Sequence, residues 1–205
     1  TIAVNDVDEY DVTTPTDGNG ATNEIDENAV AGTVGITASA SDADGTTNTV
    51  TYSLTNDDGG NFDIDSGTGV VSTTGSLNHE EGATRTIEVE ATSAEGSSKS
   101  ETFNIKVNDV NEAPSISTGA SGSVEENAAT STVIYDASGS DVDAGDSITF
   151  SVEGADRDLV SIDGSSGEVT LDSSANFESA KTSYSFDVIA TDIGGLTDSQ
   201  SVTVS

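Results

Sequence analysis

Residues 103–112 read Phe-Asn-Ile-Lys-Val-Asn-Asp-Val-Asn-Glu, and this stretch decides the fold. Phe103, Ile105 and Val107 alternate with polar residues, which is the two-residue period of a β-strand with one buried face. The strand runs directly into an acidic segment. Residues 4–9 read Val-Asn-Asp-Val-Asp-Glu, so the same strand end and acidic segment occur 103 residues earlier. The chain is therefore predicted to be a tandem repeat in which a strand leads into an acidic linker.

Other paired segments support the repeat. Glu27–Ala29 recurs as Glu126–Ala128, and Asp42–Asp44 recurs as Asp141–Asp143, each 99 residues later. A repeat of this length has the size of an immunoglobulin-like sandwich. The predicted boundaries are a tail and linker of a preceding repeat at 1–11, a repeat at 12–108, a linker at 109–114 and a repeat at 115–205 whose exit motif is truncated. Residues 10–21 are predicted to be an inserted surface loop.

The apolar pattern throughout each repeat has the period of a strand. Val50, Tyr52 and Leu54 alternate with polar residues, and so do residues 148–152 and 184–188 in the second copy. Runs of this kind lie about 8–12 residues apart with glycine, aspartate and serine between them, and no segment has a helical period. The sequence therefore predicts an all-β fold of tandem immunoglobulin-like Greek-key β-sandwiches arranged end to end.

The composition is strongly acidic. The chain has 38 Asp and Glu against 5 Lys and Arg, and its formal charge is −33. This charge repels nucleic acid and anionic membrane surfaces, so neither is expected as a partner. The chain has no cysteine, so a small extracellular domain of this kind needs a staple other than a disulfide, and bound metal is one. Low hydrophobicity with high net charge is also typical of disorder, but the regular alternation argues against it.

These motifs together resemble the cadherin repeat, and in particular the bacterial cadherin-like tandem repeats of large extracellular (RTX-type) surface adhesins. Asp109–Pro114 is similar to the cadherin linker, and the Glu-Asn pairs at 27 and 126 are similar to the first-loop motif. The remaining similar motifs are Leu77–Glu80 with its degenerate copy Asn176–Glu178, the two Asp-x-Asp segments at 42 and 141, and Ala190–Asp192. Each motif alone is weak, but five in the same order in two copies are specific.

The resemblance implies that Ca²⁺ binds at the linkers between repeats and turns a flexible chain into a stiff rod. Calcium takes six to eight oxygen ligands and tolerates loose geometry. The implied ligands at the central linker are Glu27, Glu80, Asp109, the carbonyl of Asn111, Glu112, Asp141, Asp143 and Asp192. At the first linker they are Asp6, Glu9, Asp42 and Asp44, and Glu126 and Glu178 are the counterparts at the base of the second repeat.

The sequence departs from the family pattern at several of these positions. Asn78 and Asn176 replace an aspartate, Glu9 and Glu112 replace another, and Ser93 stands where Asp192 stands in the second copy. Ser93 removes an anion. The preceding repeat, which would supply two glutamates, is also missing, so the first linker is expected to bind calcium more weakly than the central one.

Other interpretations of the acidic motifs were weighed. A single Asp-x-Asp is most often a solvated turn. An EF-hand would need glutamate at loop position twelve, where Ser53 and Val152 stand, and no helices flank either loop. His79 is expected to be a solvated surface residue. Carboxylate pairs abound, but none is singled out as a glycosidase pair, so the protein is not expected to be an enzyme.

Three functions remain at this stage. The first is a calcium-rigidified extender in a cell-surface or secreted adhesin, acting in cell adhesion or biofilm formation. The second is a carbohydrate-binding module of a polysaccharide-associated protein, and the third is homophilic cell–cell adhesion. All five Phe and most of the four Tyr fall on core positions, so no aromatic platform for a sugar is expected.

The expected partners are neighbouring repeats of the same polypeptide and, through distal domains, surface glycans or other cells. The expected location is extracellular, with no membrane insertion. The lack of Cys and of Asn-x-Ser/Thr sites indicates a bacterial source.

Overall fold

The computed structural model describes residue 2 and residues 9–44, 48–179 and 181–205, and it divides the chain into two compact units, Thr1–Val110 and Asn111–Ser205. The all-β prediction is confirmed. The described residues form strands and a single turn of 3-10 helix at Arg157–Leu159, without an α-helix. Among these residues no helix is long and apolar enough to cross a membrane.

The described residues of unit 1 form eight strands in two four-stranded sheets. They are β1 (Thr16–Asp17), β2 (Glu24–Asp26), β3 (Thr33–Ser39), β4 (Val50–Asn56), β5 (Phe62–Ile64), β6 (Val70–Thr73), β7 (Thr84–Ser93) and β8 (Ser98–Asn108). One sheet has the order β2-β8-β7-β4 and the other β1-β3-β6-β5. The pair β2–β8 is parallel, and the other pairs are antiparallel.

The core of unit 1 follows from the alternation seen in the sequence. Ile105 and Val107 on β8 and Val89 on β7 are fully buried, and they belong to the same cluster as Val34 and Val71 of the other sheet. Burying each such side chain stabilises the fold by about 1.5–3 kcal/mol. Two sheets that each bury one face in this way make a sandwich.

The prediction of an inserted surface loop at residues 10–21 is wrong in part. Val12 is 1% exposed and Pro15 is buried, and β1 pairs with β3 through Thr16 and Asp17. Polar and glycine-rich composition suggested a loop, but a short edge strand needs only one or two apolar residues to anchor it. Within this stretch residues 18–21 form a continuous exposed run, and residues 10, 11, 13, 14 and 16 are exposed individually.

Unit 2 repeats this plan, with nine strands in the part of it that the structure describes. They are β9 (Ser115–Ile116), β10 (Ser121–Gly122), β11 (Val133–Asp136), β12 (Gly139–Ser140), β13 (Thr149–Glu153), β14 (Val160–Ile162), β15 (Glu168–Leu171), β16 (Tyr184–Thr191) and β17 (Thr197–Val204). The sheet orders are β10-β17-β16-β13, β11-β15-β14 and the pair β12-β9. Phe186 is buried on β16 and meets the Tyr135 ring edge-on, with ring centroids 6.4 Å apart.

Candidate metal centres

The Glu-Asn motif makes the same backbone turn in both units. Asn28 and Asn127 have positive φ angles of 55° and 59°, a conformation that asparagine tolerates better than most residues. The Asn28 N–H donates to the carbonyl of Leu77 (3.0 Å), and the Asn127 N–H donates to that of Ala175 (2.8 Å). In unit 1 this turn places Glu27 against the loop that carries His79 and Glu80.

Glu27 is buried and fully hydrogen-bonded. It is 2% exposed; its Oε2 accepts the N–H of His79 at 2.7 Å and its Oε1 accepts the N–H of Val110 at 2.8 Å. Burial by itself would raise the pKa of Glu27, but these two backbone hydrogen bonds outweigh it and hold that pKa below its usual value. Glu27 is therefore an anion held rigidly in place.

Three carboxylates meet at the base of unit 1. Glu27, Glu80 and Asp109 each have an oxygen within 4.8 Å of the other two. Asn78, which replaces the family's aspartate, accepts the N–H of Glu80 at 2.7 Å and that of Glu81 at 3.3 Å. The asparagine therefore holds the turn that presents Glu80, although it contributes no charge.

The expectation that His79 is a solvated surface residue is wrong. Its side chain is 26% exposed, its Nδ1 donates to the carbonyl of Val107 at 2.8 Å, and its Nε2 lies 4.0 Å from the carboxylate of Asp109. The hydrogen bond to Val107 raises the pKa of His79, and the neighbouring acidic groups act in the same direction. The neighbouring carboxylates favour the protonated imidazole of His79. Their closeness in space is not visible in the sequence.

The Asp-x-Asp segments of the two units have matching geometry. The Asp44 N–H donates to Asp42 Oδ1 at 3.1 Å, and the Asp143 N–H donates to Asp141 Oδ1 at 3.0 Å, so each pair is a tight aspartate turn. The preceding linker contacts the second aspartate in both cases. The N–H of Glu9 donates to Asp44 Oδ1 (3.3 Å), and the N–H of Glu112 donates to Asp143 Oδ2 (2.9 Å).

Each Asp-x-Asp pair gathers a third carboxylate that sequence reasoning missed. In unit 1 it is Glu95, in the turn between β7 and β8, and in unit 2 it is Asp146. The oxygens within each group of three lie within 4.8 Å of one another. Asp146 follows Asp143 by three residues and Glu95 follows Ser93 by two, so acidic residues just outside the motif positions were the available signal.

Asp192 is placed differently from the other predicted ligands. It is 6% exposed, its Oδ2 accepts the side-chain amide of Asn111 at 2.7 Å, and its Oδ1 accepts the N–H of Leu196 at 2.8 Å. Burial would raise the pKa of Asp192, but the hydrogen bonds from Asn111 and the turn backbone lower it below its usual value. Asp192 is not a member of the group formed by Asp141, Asp143 and Asp146.

Buried carboxylate oxygens in both units fit a hard cation. The oxygens that are buried and have no hydrogen-bond donor among the described residues include Oδ2 of Asp42, Asp44 and Asp141 and Oδ1 of Asp143. A buried charge left without a partner is costly, and a bound cation would satisfy it. Carboxylate oxygens without cysteine suit calcium or magnesium rather than zinc. The residues present therefore fit Ca²⁺.

Two predicted ligands at the base of unit 2 are not gathered among the described residues. Glu126 and Glu178 of unit 2 are exposed, and neither is part of a group of three acidic residues in the described chain. Asp6 lies outside the described residues.

The expectation that all five phenylalanines are core residues is wrong for Phe177. It is 72% exposed and lines an open cavity of about 320 Å³ with Val124, Lys181 and Tyr184. Phe177 occupies the loop position that His79 has in unit 1, where the side chain points away from the sandwich core. Tyr10 is also exposed, whereas Tyr52 and Tyr135 are buried as expected.

The model of the cadherin domain family matches residues 22–108, within unit 1. Over its length the chain is similar to solved cadherin structures. Mouse cadherin-23 EC22-24 is 26% identical with a TM-score of 0.69, and 97% of this chain covers 65% of it. Protocadherin gamma B7 extracellular cadherin domains 1-4 are 26% identical with a TM-score of 0.68, at 97% and 50% coverage.

Human protocadherin-24 EC1-2 is similar in fold, with 20% identity, a TM-score of 0.71 and coverage of 89% of this chain and 92% of that one. The chain thus spans about two thirds of the cadherin-23 structure and half of the protocadherin gamma B7 structure. No curated protein sequence matches it. The fold is a cadherin-like β-sandwich.

Proposed function

We propose that this chain is a calcium-binding extender segment of a cell-surface or secreted adhesin, without catalytic activity of its own. The observation that supports this best is the recurrence of one arrangement in both units. Each unit has an aspartate turn, a third carboxylate and buried carboxylate oxygens without a hydrogen-bond donor among the described residues. One such loop is a common surface feature, but two built alike point to a shared ligand.

The charge of the molecule explains why a cation is needed. With a formal charge of −33, the chain repels itself, and close carboxylates concentrate that repulsion. Ca²⁺ supplies positive charge and accepts several oxygen ligands at once. The residues that would hold it in unit 1 are Glu27, Glu80 and Asp109 at its base, and Asp42 and Asp44 in its upper loops, which are the Asp-x-Asp segment and the turn between β7 and β8. In unit 2 they are Asp141, Asp143 and Asp146.

The linker would be the part of the chain most affected. Asp109 belongs to the acidic group of unit 1, and the Glu112 backbone is hydrogen-bonded to Asp143 in unit 2. Cations bound in both groups would therefore restrict the linker at each of its ends. This restriction is the physical basis for the stiffening function, in which the segment spaces a distal adhesive domain from the cell surface.

The wider context is part of the same proposal. Neighbouring repeats of one polypeptide are the direct partners, and glycans or other cells are contacted by distal domains. The absence of cysteine and of Asn-x-Ser/Thr sites favours a large adhesin of the bacterial type. A sugar-binding role has less support, because Phe177 is a single exposed ring rather than a platform.

The test is a calcium titration of the whole 205-residue chain by calorimetry, followed by X-ray scattering with calcium or chelator. We expect saturable binding, with dissociation constants of about 10⁻⁴–10⁻³ M for extracellular modules of this kind. In calcium the maximum particle dimension should increase, and the distribution of particle dimensions should become narrower. Magnesium should act more weakly because it demands a tight octahedral shell. If sodium chloride at equal ionic strength gave the same scattering change, the acidic loops would be a salt-adapted surface and the proposal would be wrong.

A further inference from the structure

The turn between β7 and β8 has the same backbone hydrogen bond as the turn between β16 and β17. The two turns carry their acidic residue at different positions. The Ser93 N–H donates to the Ser97 carbonyl at 2.9 Å, and the Asp192 N–H donates to the Leu196 carbonyl at 3.1 Å. Gly96 and Gly195 have positive φ angles of 100° and 92° at the same place in each turn. Yet unit 1 has Ser93 with Glu95, where unit 2 has Asp192 with Gly194.

In unit 2 there is no room for a side chain at position 194. A Cβ atom added to Gly194 would lie 2.6 Å from Oδ1 of Asn111. The Asn111 amide fills this space while it donates to Asp192. The negative charge of the turn therefore comes from its first residue.

In unit 1 the first residue of the turn carries no charge. Ser93 is buried, and its hydroxyl is 3.0 Å from that of Ser97. Glu95 instead brings a carboxylate oxygen to within 4.8 Å of Asp42 and Asp44. Asp42 and Asp44 are 8% and 3% exposed, and the Oδ2 of each is buried without a hydrogen-bond donor among the described residues. Two buried, incompletely satisfied carboxylates beside a third would repel one another unless a cation lies among them.

We infer that Glu95 is a ligand of a divalent-cation site that it forms with Asp42 and Asp44, so that the charge missing at Ser93 is supplied two residues later in the same turn. The inference rests on the proposed calcium binding and adds a residue to it. Because calcium accepts variable ligand positions, a longer side chain from a neighbouring position can serve. The cation site in the upper loops of unit 1 is then complete in its carboxylates without an aspartate at position 93.

The experiment follows backbone amide shifts of the whole chain by ¹⁵N NMR while CaCl₂ is added. In the unaltered protein, the amides of Asp44 and Gly96 should shift together and saturate. Glu95→Gln keeps the size of the side chain and removes its charge, so we expect the dissociation constant reported by these amides to rise about tenfold or more. Glu101→Gln is the matched control, since it removes one exposed charge from β8, and it should leave the constant within about twofold.

A double variant, Ser93→Asp with Glu95→Gly, places the residues of the unit 2 turn into unit 1. It should bind calcium more weakly than the unaltered protein, because the aspartate of that turn lies outside the carboxylate group of unit 2, and the unaffected amides of β3 and β6 would show that the sandwich is intact. If Glu95→Gln left the shifts at Asp44 and Gly96 unchanged while calcium still bound near Asp109 or Asp143, Glu95 would not be a ligand and calcium binding itself would stand. If no amide in either unit responded to calcium, the proposed function would fail first.

Discussion

The two units carry the same Glu-Asn motif at their bases, but only one of them buries the glutamate. Asn28 and Asn127 make the same left-handed turn and the same backbone hydrogen bond, whereas Glu27 is 2% exposed and Glu126 is exposed. In unit 1 the N–H of Val110 in the linker donates to Glu27. The motif itself therefore determines the backbone turn, and in unit 1 a hydrogen bond from the linker holds the buried carboxylate.

The loops that carry the Asp-x-Asp segments show the opposite contrast, because here the geometry is shared and the sequence positions differ. Their aspartate turns and linker contacts match closely between the units, although the third carboxylate comes from different places in the sequence, Glu95 and Asp146. Here the number of carboxylates is kept and their positions in the sequence are not. The experiments below are arranged around these two contrasts.

Calcium should stabilise unit 1 more than unit 2, because unit 1 holds two of the acidic groups and unit 2 holds one among the described residues. At tenfold excess over its dissociation constant, each site adds about 1.4 kcal/mol to the free energy of unfolding. We expect a gain of about 3 kcal/mol for unit 1 and about half of that for unit 2, measured by thermal unfolding with unit-specific NMR signals. Equal gains in the two units would contradict the assignment of two cation sites to unit 1 and one to unit 2. The same gains in sodium chloride as in calcium would also contradict it.

Glu27→Gln should destabilise unit 1 by about 1–3 kcal/mol even in chelator. A glutamine can present only one oxygen to the two N–H groups of His79 and Val110, so one buried donor loses its partner. Glu126→Gln is the matched control at an exposed position, and it should change the stability of unit 2 by less than about 0.5 kcal/mol. Urea unfolding in chelator measures both, and similar losses in the two variants would show that the buried hydrogen bonds of Glu27 do not stabilise unit 1.

Asp143→Ala and Asp44→Ala should each weaken calcium binding in one unit alone. Asp44→Ala removes a carboxylate from the group with Asp42 and Glu95, and Asp143→Ala removes one from the group with Asp141 and Asp146, so we expect about a tenfold loss of affinity, or about 1.4 kcal/mol, for each. Neither side chain is part of an apolar core cluster, so both sandwiches should remain folded. Amide shifts during a calcium titration separate the two sites. A loss of affinity in the unaltered unit would mean that the two sites are coupled.

Asp156→Asn should cost unit 2 about 1 kcal/mol at pH 7. Asp156 accepts a hydrogen bond from Lys181 Nζ at 2.7 Å and another from the N–H of Ser185 at 2.7 Å, and these lower its pKa. In unit 1 an ion pair joins Arg85 and Asp58 at the longer distance of 3.8 Å, so Asp58→Asn should cost less.

The pH dependence gives an independent check on Asp156. A lowered pKa in the folded state adds stability above the ordinary aspartate value of about 4, and that stability is lost as the pH falls through the folded pKa. Urea unfolding at pH 7, 5 and 3 should show the same gap between the unaltered protein and Asp156→Asn at the first two values and a smaller gap at pH 3. A constant gap would mean that the cost is not electrostatic.

Strand alternation predicted most of the fold because a buried face forces a two-residue period. Phe103, Ile105 and Val107 lie inward on β8 as expected. The short strand β1 was missed because two polar residues carry no such period. Glu95 was missed because closeness across a turn is not visible in linear spacing, and the exposure of Phe177 was missed because loop aromatics resemble core ones in sequence. The calcium ligands themselves remain predictions.

The parallel pairing of β2 with β8 has a mechanical consequence. Glu24, Ile25 and Asp26 lie opposite Lys106, Val107 and Asn108, and further hydrogen bonds join Asn23 to Lys106 and Glu27 to Asn108. When a chain is pulled from both ends, parallel strands near the two ends of a unit, such as β2 and β8, slide along each other, so their hydrogen bonds are loaded in shear and must break together. Antiparallel strands in that position would be peeled open one bond at a time. β10 and β17 are paired in the same parallel way. In each unit, therefore, a pulling force loads the hydrogen bonds of one parallel strand pair in shear.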